Sequence, residues 1–216
     1  MNKRFLLLLF ILTGFYAQLY SQHYSLGYTY GYSWNEVKNN GDVPGSSQNN
    51  FITGLSSEWI TKKNLRLGAE ILYEKRGFDL EYIVFFNNFS QKHIKNYHHQ
   101  KYLSIPLKIG YQTGKRIYAF GDIGIVPAFN VKSTFTYPNT DSLFNILGEI
   151  TEREQINIKT FDLGGLLDFG AGYNLTDKFS VSGSIRLQHS LFDFSEVYRM
   201  SHRATTLFFT LRYKLQ

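Results

Sequence analysis

From Tyr24 to Trp34 the chain alternates between two kinds of side chain. Tyr24, Leu26, Tyr28, Tyr30, Tyr32 and Trp34 hold one parity; Ser25, Gly27, Thr29, Gly31 and Ser33 hold the other. Strand side chains point alternately to opposite faces, so this pattern predicts a β-strand with one aromatic–aliphatic face and one small polar face. Seven further segments, near 51–60, 65–75, 102–111, 117–128, 161–175, 179–191 and 204–215, repeat it. The clearest apolar rows are Leu65, Leu67, Ala69, Ile71, Tyr73; Leu103, Ile105, Leu107, Ile109, Tyr111; and Leu207, Phe209, Leu211, Tyr213, Leu215. In the fifth segment both parities contain apolar residues, which leaves its register open.

The connections between these segments alternate in length. Residues 61–64, 112–116 and 176–178 make tight polar turns, whereas 35–50, 76–101, 129–160 and 192–203 are long. Eight strands with short turns at one end and long loops at the other predict an all-β fold, an eight-stranded antiparallel up-and-down transmembrane β-barrel. Greek-key sandwiches have no reason to segregate loop length in this way. A soluble eight-stranded barrel of lipocalin type is the competing architecture; the apolar outer faces weigh against it.

Lys3 and Arg4 followed by the apolar run Phe5–Leu12 predict a secretory signal over 1–21, cut ahead of Gln22, with the barrel domain over 22–216. The run is too short to span a bilayer as a helix. Taking Lys3 and Arg4 from the formal charge of +6 leaves +4, too weak to predict a nucleic-acid partner. The 216 residues contain no cysteine, which removes disulfide scaffolds, thiolate metal sites and thiol catalysis.

With the aliphatic parity outside, the inward charged residues are Glu58, Arg66, Glu70, Lys108, Asp122, Asp168, Arg186 and Arg212, four acids and four bases. An eight-stranded barrel is about filled by its own side chains. Charges in so narrow an interior must be paired, so the set is expected to be a salt-bridged core rather than an ion pathway. Inward glycines, among them Gly27, Gly31, Gly68, Gly170 and Gly172, are expected to make room for those long charged side chains.

No catalytic residue, cofactor or metal is expected. His189 and Ser190, with Glu196 nearby, superficially form a Ser/His/acid set, but adjacent strand residues face opposite ways. His93, His98 and His99, with Asp79 or Glu81, lack the spacing of a metal site. Lys62, Lys63, Lys115, Arg116, Lys178 and Lys214 gather at the short-turn end, where lysine stems can snorkel to lipid headgroups.

Four stretches carry a resemblance to a known family: Leu72-Tyr-Glu-Lys-Arg-Gly77, Tyr102-Leu-Ser-Ile-Pro-Leu107, Phe161-Asp-Leu-Gly164 with Gly170-Ala-Gly-Tyr173, and the closing Leu211-Arg-Tyr-Lys-Leu215. In order and spacing the chain resembles the PorT-like outer-membrane β-barrel proteins of Bacteroidetes-type bacteria, whose architecture is similar to small OmpA/OmpX barrels. The chain departs from a terminal aromatic residue by ending on Gln216. The resemblance implies residence in the bacterial outer membrane, without implying a single activity. The long loops are expected to be extracellular and both termini periplasmic. The expected role is a structural or interaction protein in contact with outer-membrane lipid, an accessory component of a secretion or outer-membrane assembly machine. A lipid-modifying barrel enzyme and a small-solute channel are the alternatives. Candidate partner-binding residues lie in loops 76–101 and 129–160: Phe78, Tyr82, Phe85, Phe86, Tyr97, Phe135, Tyr137 and Phe144. Leu80–Phe86 has strong β-propensity, so the flanking strands are expected to continue into the first of these loops.

Overall fold

The alternating segments close into a ring. The computed structural model describes residues 21–39, 45–85, 91–140, 146–153, 159–193 and 200–215, and these contain strands and turns but no helix. The strands are β1 (Ser21–Asn39), β2 (Gly45–Thr61), β3 (Leu65–Phe85), β4 (Gln91–Ser104), β5 (Leu107–Gly114), β6 (Ile117–Thr140), β7 (Ile146–Arg153), β8 (Phe161–Asn174), β9 (Phe179–Ser190) and β10 (Met200–Leu215). All pairings are antiparallel, in the order β2-β1-β10-β9-β8-β6-β4-β3, and β2 pairs with β3 to shut the barrel. Among the described residues no lipid-facing backbone edge is then left unpaired.

Ten strands make eight staves. β4 and β5 are one stave interrupted at Ile105–Pro106, since both pair with β3 on one side and β6 on the other. Proline has no amide hydrogen to give the ladder. The Ile105 amide instead donates to the Pro127 carbonyl and the Pro106 carbonyl accepts from Glu70, so the sheet continues through the break. β7 pairs with β6 alone and is an addition beyond the ring.

Several expected long loops are strand. β3 runs to Phe85 and β4 starts at Gln91, while β6 runs to Thr140 and is met by β7. Alternation of apolar and polar residues fades there because neither face meets lipid, so the pattern that marks a membrane strand is lost. β3, β4, β6 and β7 thus stand up from one end of the barrel as a four-stranded platform. At the opposite end the strands are joined by the short turns. Asn64 adopts a left-handed φ of 61° in the first and Gly114 a φ of 99° in the second, residues that tolerate this conformation.

The outer surface is apolar between two aromatic levels. Tyr24, Trp59, Tyr111, Tyr173, Phe179 and Tyr213 mark the short-turn end; Tyr32, Trp34, Phe51, Tyr73, Phe129 and Phe161 mark the other. Leu26, Leu55, Ile71, Ile109, Ile123, Ile185 and Leu211 lie between them and are exposed. A surface of this kind is stable only in hydrocarbon, with the aromatic rings at its interfaces.

Gly54 shows how closely two staves approach. A Cβ placed there would lie inside van der Waals contact of the Ile71 carbonyl oxygen on β3. The Gly54→Ala barrel is therefore expected to lose on the order of 1–3 kcal/mol from forced backbone displacement. Urea unfolding of the barrel in lipid vesicles, followed by tryptophan fluorescence, reads the shift; an unchanged midpoint refutes the crowding argument.

Candidate functional site

The interior is the most highly charged part of the barrel. Strand parity carries Glu58 on β2, Arg66 and Glu70 on β3, Lys108 on β5, Asp122 on β6, Asp168 on β8, Arg186 on β9 and Arg212 on β10 to the inside, and all eight are buried. The structure brings them into one connected network. Arg212 and Arg66 both hold Glu58, and Arg66 reaches Asp122 at 3.5 Å. Lys108 bridges Glu70 and Asp168, the latter at 3.2 Å. Arg186 also contacts Glu70 and Asp168, each at 2.8 Å.

Register explains the need for these bridges. Asp122 lies directly opposite Asp168, and Asp168 opposite Arg186. Two carboxylates facing each other across strands repel. Lys108 sits near both and Arg186 holds the second, so the repulsion is offset locally. Asp122 is held least tightly, its nearest cations being Arg66 at 3.5 Å and Lys108 at 3.9 Å.

Nearer the platform lies a second cluster that the sequence reading did not select. Arg76 contacts Glu74 and, at 2.6 Å, Asp162; Ser104 donates to Glu74 and Ser190 to Asp162 at 2.9 Å. The Arg76 guanidinium lies 4.4 Å from the centroid of the Tyr102 ring, and the Tyr102 hydroxyl donates to Gln100 at 3.0 Å. His202 is 3.2 Å from the same Gln100 oxygen. Glu74 shares the parity of Glu70 and Asp162 that of Asp168, so both were within reach of the alternation argument. Arg76 was not, because it lies past the alternating segment 65–75.

Aromatic rings pack against these charged groups. Arg66 stacks 3.7 Å from the Phe120 centroid and Arg186 4.3 Å from that of Phe208. These rings need glycine opposite them. A Cβ on Gly172 would strike Tyr118, one on Gly170 would strike Phe120, and one on Gly31 would come 2.6 Å from Phe208. Gly31, Gly170 and Gly172 therefore accommodate rings rather than charged side chains, a correction to the expected role of these three. Gly68 faces Lys108 and Gly27 faces Arg212, as the charged-chain argument requires. Inward Tyr118 and Phe120 are also why the register of the fifth stave could not be read from its apolar residues.

The candidate platform residues divide. Phe78 is buried and stacks on His98 at 4.5 Å; His98 packs on Phe135 at 4.7 Å, and Phe135 on Tyr137 at 5.3 Å. Tyr97 is half-buried and stacks on His99 on the opposite face. Tyr137 donates to Glu152 at 3.2 Å. Tyr82 and Phe85 lie on β3, but their side chains fall outside the described residues, as do Phe86 and Phe144 entirely. Because His98 and His99 point to opposite faces, they do not converge on one ion. The side chains of His93 and Glu81 lie outside the described residues, as does Glu196. Ser190 is buried against Asp162, whereas His189 is exposed on the outer surface, so the two do not form a nucleophile–base pair.

At the short-turn end an open vestibule of about 1060 Å³ is lined by Lys115, Arg116, Asp177 and Lys214 and ends on Glu58 and Arg212. Lys62, Lys63 and Lys178 are exposed on the turns around it, and Arg116 lies 5.3 Å from the Tyr173 ring.

Comparison with known proteins agrees with this architecture. The family model described as outer membrane protein beta-barrel domain matches residues 16–196, and the chain belongs to that family. Among solved structures, the outer membrane protein OprG of Pseudomonas aeruginosa is similar at 10% identity and a TM-score of 0.52, covering 91% of this chain and 98% of its own. The attachment invasion locus protein Ail of Yersinia pestis aligns at 12% identity and a TM-score of 0.47, covering 90% and 100%. No curated protein matches the sequence significantly. The chain is thus an outer-membrane β-barrel protein.

Removing one member of the lumen network strands its partners. Arg186→Gln leaves Glu70 and Asp168 with Lys108 alone, and is expected to destabilise the barrel by about 3–5 kcal/mol. The urea midpoint of the variant in lipid vesicles checks this; a value within error of the parent means that the network is not what holds the interior.

Proposed function

We propose that this member of the outer membrane β-barrel domain family is a closed scaffold that presents its four-stranded platform to a protein partner, as an accessory component of a secretion or outer-membrane assembly machine. The observation that carries the reading is the contrast between the two regions. Ion pairs and rings fill the interior, which leaves it poorly suited to conduct a solute. β3, β4, β6 and β7 continue well past the apolar belt, further than turning the chain requires.

A rigid barrel that carries a raised, half-exposed sheet is a common means of presenting a binding surface. Among the described residues Tyr97, His99 and Tyr137 are accessible rings, whereas the Phe78–His98–Phe135 stack stiffens the platform. The motifs around Leu72–Gly77 and Tyr102–Leu107 favour the PorT-like branch, which supports a secretion or assembly role over a lipid-modifying one. In this reading the platform faces the cell exterior and both termini face the periplasm.

Two measurements test the reading. Residues 80–97 and, separately, 135–152 are replaced by short Gly/Ser turns, which leaves every stave of the ring in place. Both variants are expected to keep the different migration of boiled and unboiled samples on a denaturing gel, and to lose proteins that co-purify with the parent after gentle extraction. Retention of every partner by both variants sinks the platform reading. Orientation is read independently with single cysteines, which the chain otherwise lacks. Gly148→Cys is expected to react with a membrane-impermeant maleimide in intact cells, and Lys63→Cys only after the outer membrane is opened. The reverse pattern inverts the barrel.

A further inference from the structure

The outer surface changes character abruptly where the platform begins. Tyr73 lies opposite Leu103, Leu103 opposite Phe129, and Phe129 opposite Phe161. All four are exposed and form the upper edge of the apolar belt. Further along the same face, Lys75 lies opposite Lys101, and Lys101 opposite Lys132. Each side chain points outward, since its strand neighbours Glu74 and Arg76, or Gln100 and Tyr102, are buried, and Lys132 itself is exposed. On β3 and β4 the lysines stand two residues beyond the apolar row, roughly 6–7 Å along the strand.

A β-bulge produces the alignment. Tyr102 pairs with Asn130, yet Lys101 pairs with Lys132, so Val131 is an extra residue on β6. Without it Lys132 would share the parity of buried Gln100 and point inward. Bulges commonly re-aim a side chain in this way. Here the bulge places a third ammonium beside two others.

Like charges directly opposite on one face of a sheet repel. Among the described residues none of the three lysines has an ion-pair partner. Glu74, the carboxylate next to Lys75 in sequence, points inward and is held by Arg76. Elsewhere on the outer rim the chain balances its charge, with Arg203 opposite Glu36. A row of three cations with no ion-pair partner among the described residues, set where the apolar belt ends, is complementary to an anion at the depth of lipid headgroups. Lysine stems can lie along the apolar edge while the ammonium groups reach that level.

We propose that Lys75, Lys101 and Lys132 are a docking row for the phosphate groups of the phosphorylated glycolipid that forms the outer leaflet of the outer membrane. The acyl chains of that lipid lie along Tyr73, Leu103, Phe129 and Val131, and its phosphates neutralise the three ammonium groups. The lipid then fixes the height of β3, β4 and β6 at the foot of the platform. The assignment to the outer leaflet rests on the orientation proposed above; the affinity for a phosphorylated lipid does not.

The test uses the purified full chain in zwitterionic detergent, with bound lipid read by native mass spectrometry. The probes are bisphosphorylated lipid A, the same lipid with its phosphates removed, and inorganic phosphate as competitor. The parent and Arg203→Gln are expected to retain lipid A. The triple variant Lys75→Gln, Lys101→Gln, Lys132→Gln is expected to bind it roughly a hundredfold more weakly, from the loss of three surface cations near a phosphate. The dephosphorylated lipid is expected to bind the parent at that weaker level, and inorganic phosphate to displace little lipid A. Heat-modifiable migration shows that the triple variant is folded, which exterior Gln side chains permit. Equal binding by parent and triple variant, equal binding of the dephosphorylated lipid, an equal loss in Arg203→Gln, or full displacement by inorganic phosphate overturns the proposal. Binding that behaves as expected, together with a Gly148→Cys variant left unlabelled in intact cells, overturns the outer-leaflet assignment while the lysine row stands. Failure of the parent to bind lipid A, together with a labelled Gly148→Cys variant, indicts the lysine row and spares the orientation.

Discussion

A charge inside a narrow membrane-spanning barrel must find an opposite charge, because hydrocarbon surrounds the wall and little water fills the bore. An isolated ion there carries a desolvation penalty of several kcal/mol. The rest of this structure follows from that constraint. Arg186 lies between Glu70 and Asp168, and Lys108 lies between the same two, so no single pair is independent. Arg66 joins them to Glu58 through Asp122. Such a network is specific rather than merely stabilising: a one-residue slip of any stave would turn its charges out into lipid. Glycine and aromatic residues complete the packing, with rings over Arg66 and Arg186 and glycine where the rings meet the opposite wall.

In the proposed reading, a filled interior leaves function to the rims. At the short-turn end the basic turns surround a shallow vestibule that stops at Glu58 and Arg212. At the other end the sheet continues, and its outer face meets the membrane surface through three aligned lysines. The two ends therefore solve different problems. One is a ring of short basic turns around a vestibule, and the other a raised surface with an electrostatic foot.

The ring of eight staves was legible because lipid outside and polar contents inside impose a period of two on every membrane-spanning segment. Tyr24–Trp34 and Leu207–Leu215 show this most plainly. The pattern failed where its physical cause failed. Above the belt both faces of β3, β4 and β6 are wet or capped, so Arg76, Gln100 and the whole of β7 gave no alternation to read. Pro106 split one stave without breaking the sheet, a tertiary compensation made by the carbonyls of Pro106 and Pro127. The eight charges at the centre were accessible through parity. Glu74 and Asp162 share that parity, whereas Arg76 lies where β3 continues past the alternating segment. The lysine row was beyond reach, because it depends on the register of three strands and on a bulge at Val131 that the local sequence does not announce.

The central claim is that the paired interior closes the barrel, and planar-bilayer recording of the purified full chain tests it most directly. The parent protein is expected to show no stable conductance under conditions where a mock preparation is also silent. Reproducible openings of uniform size, absent from the mock preparation, would contradict it.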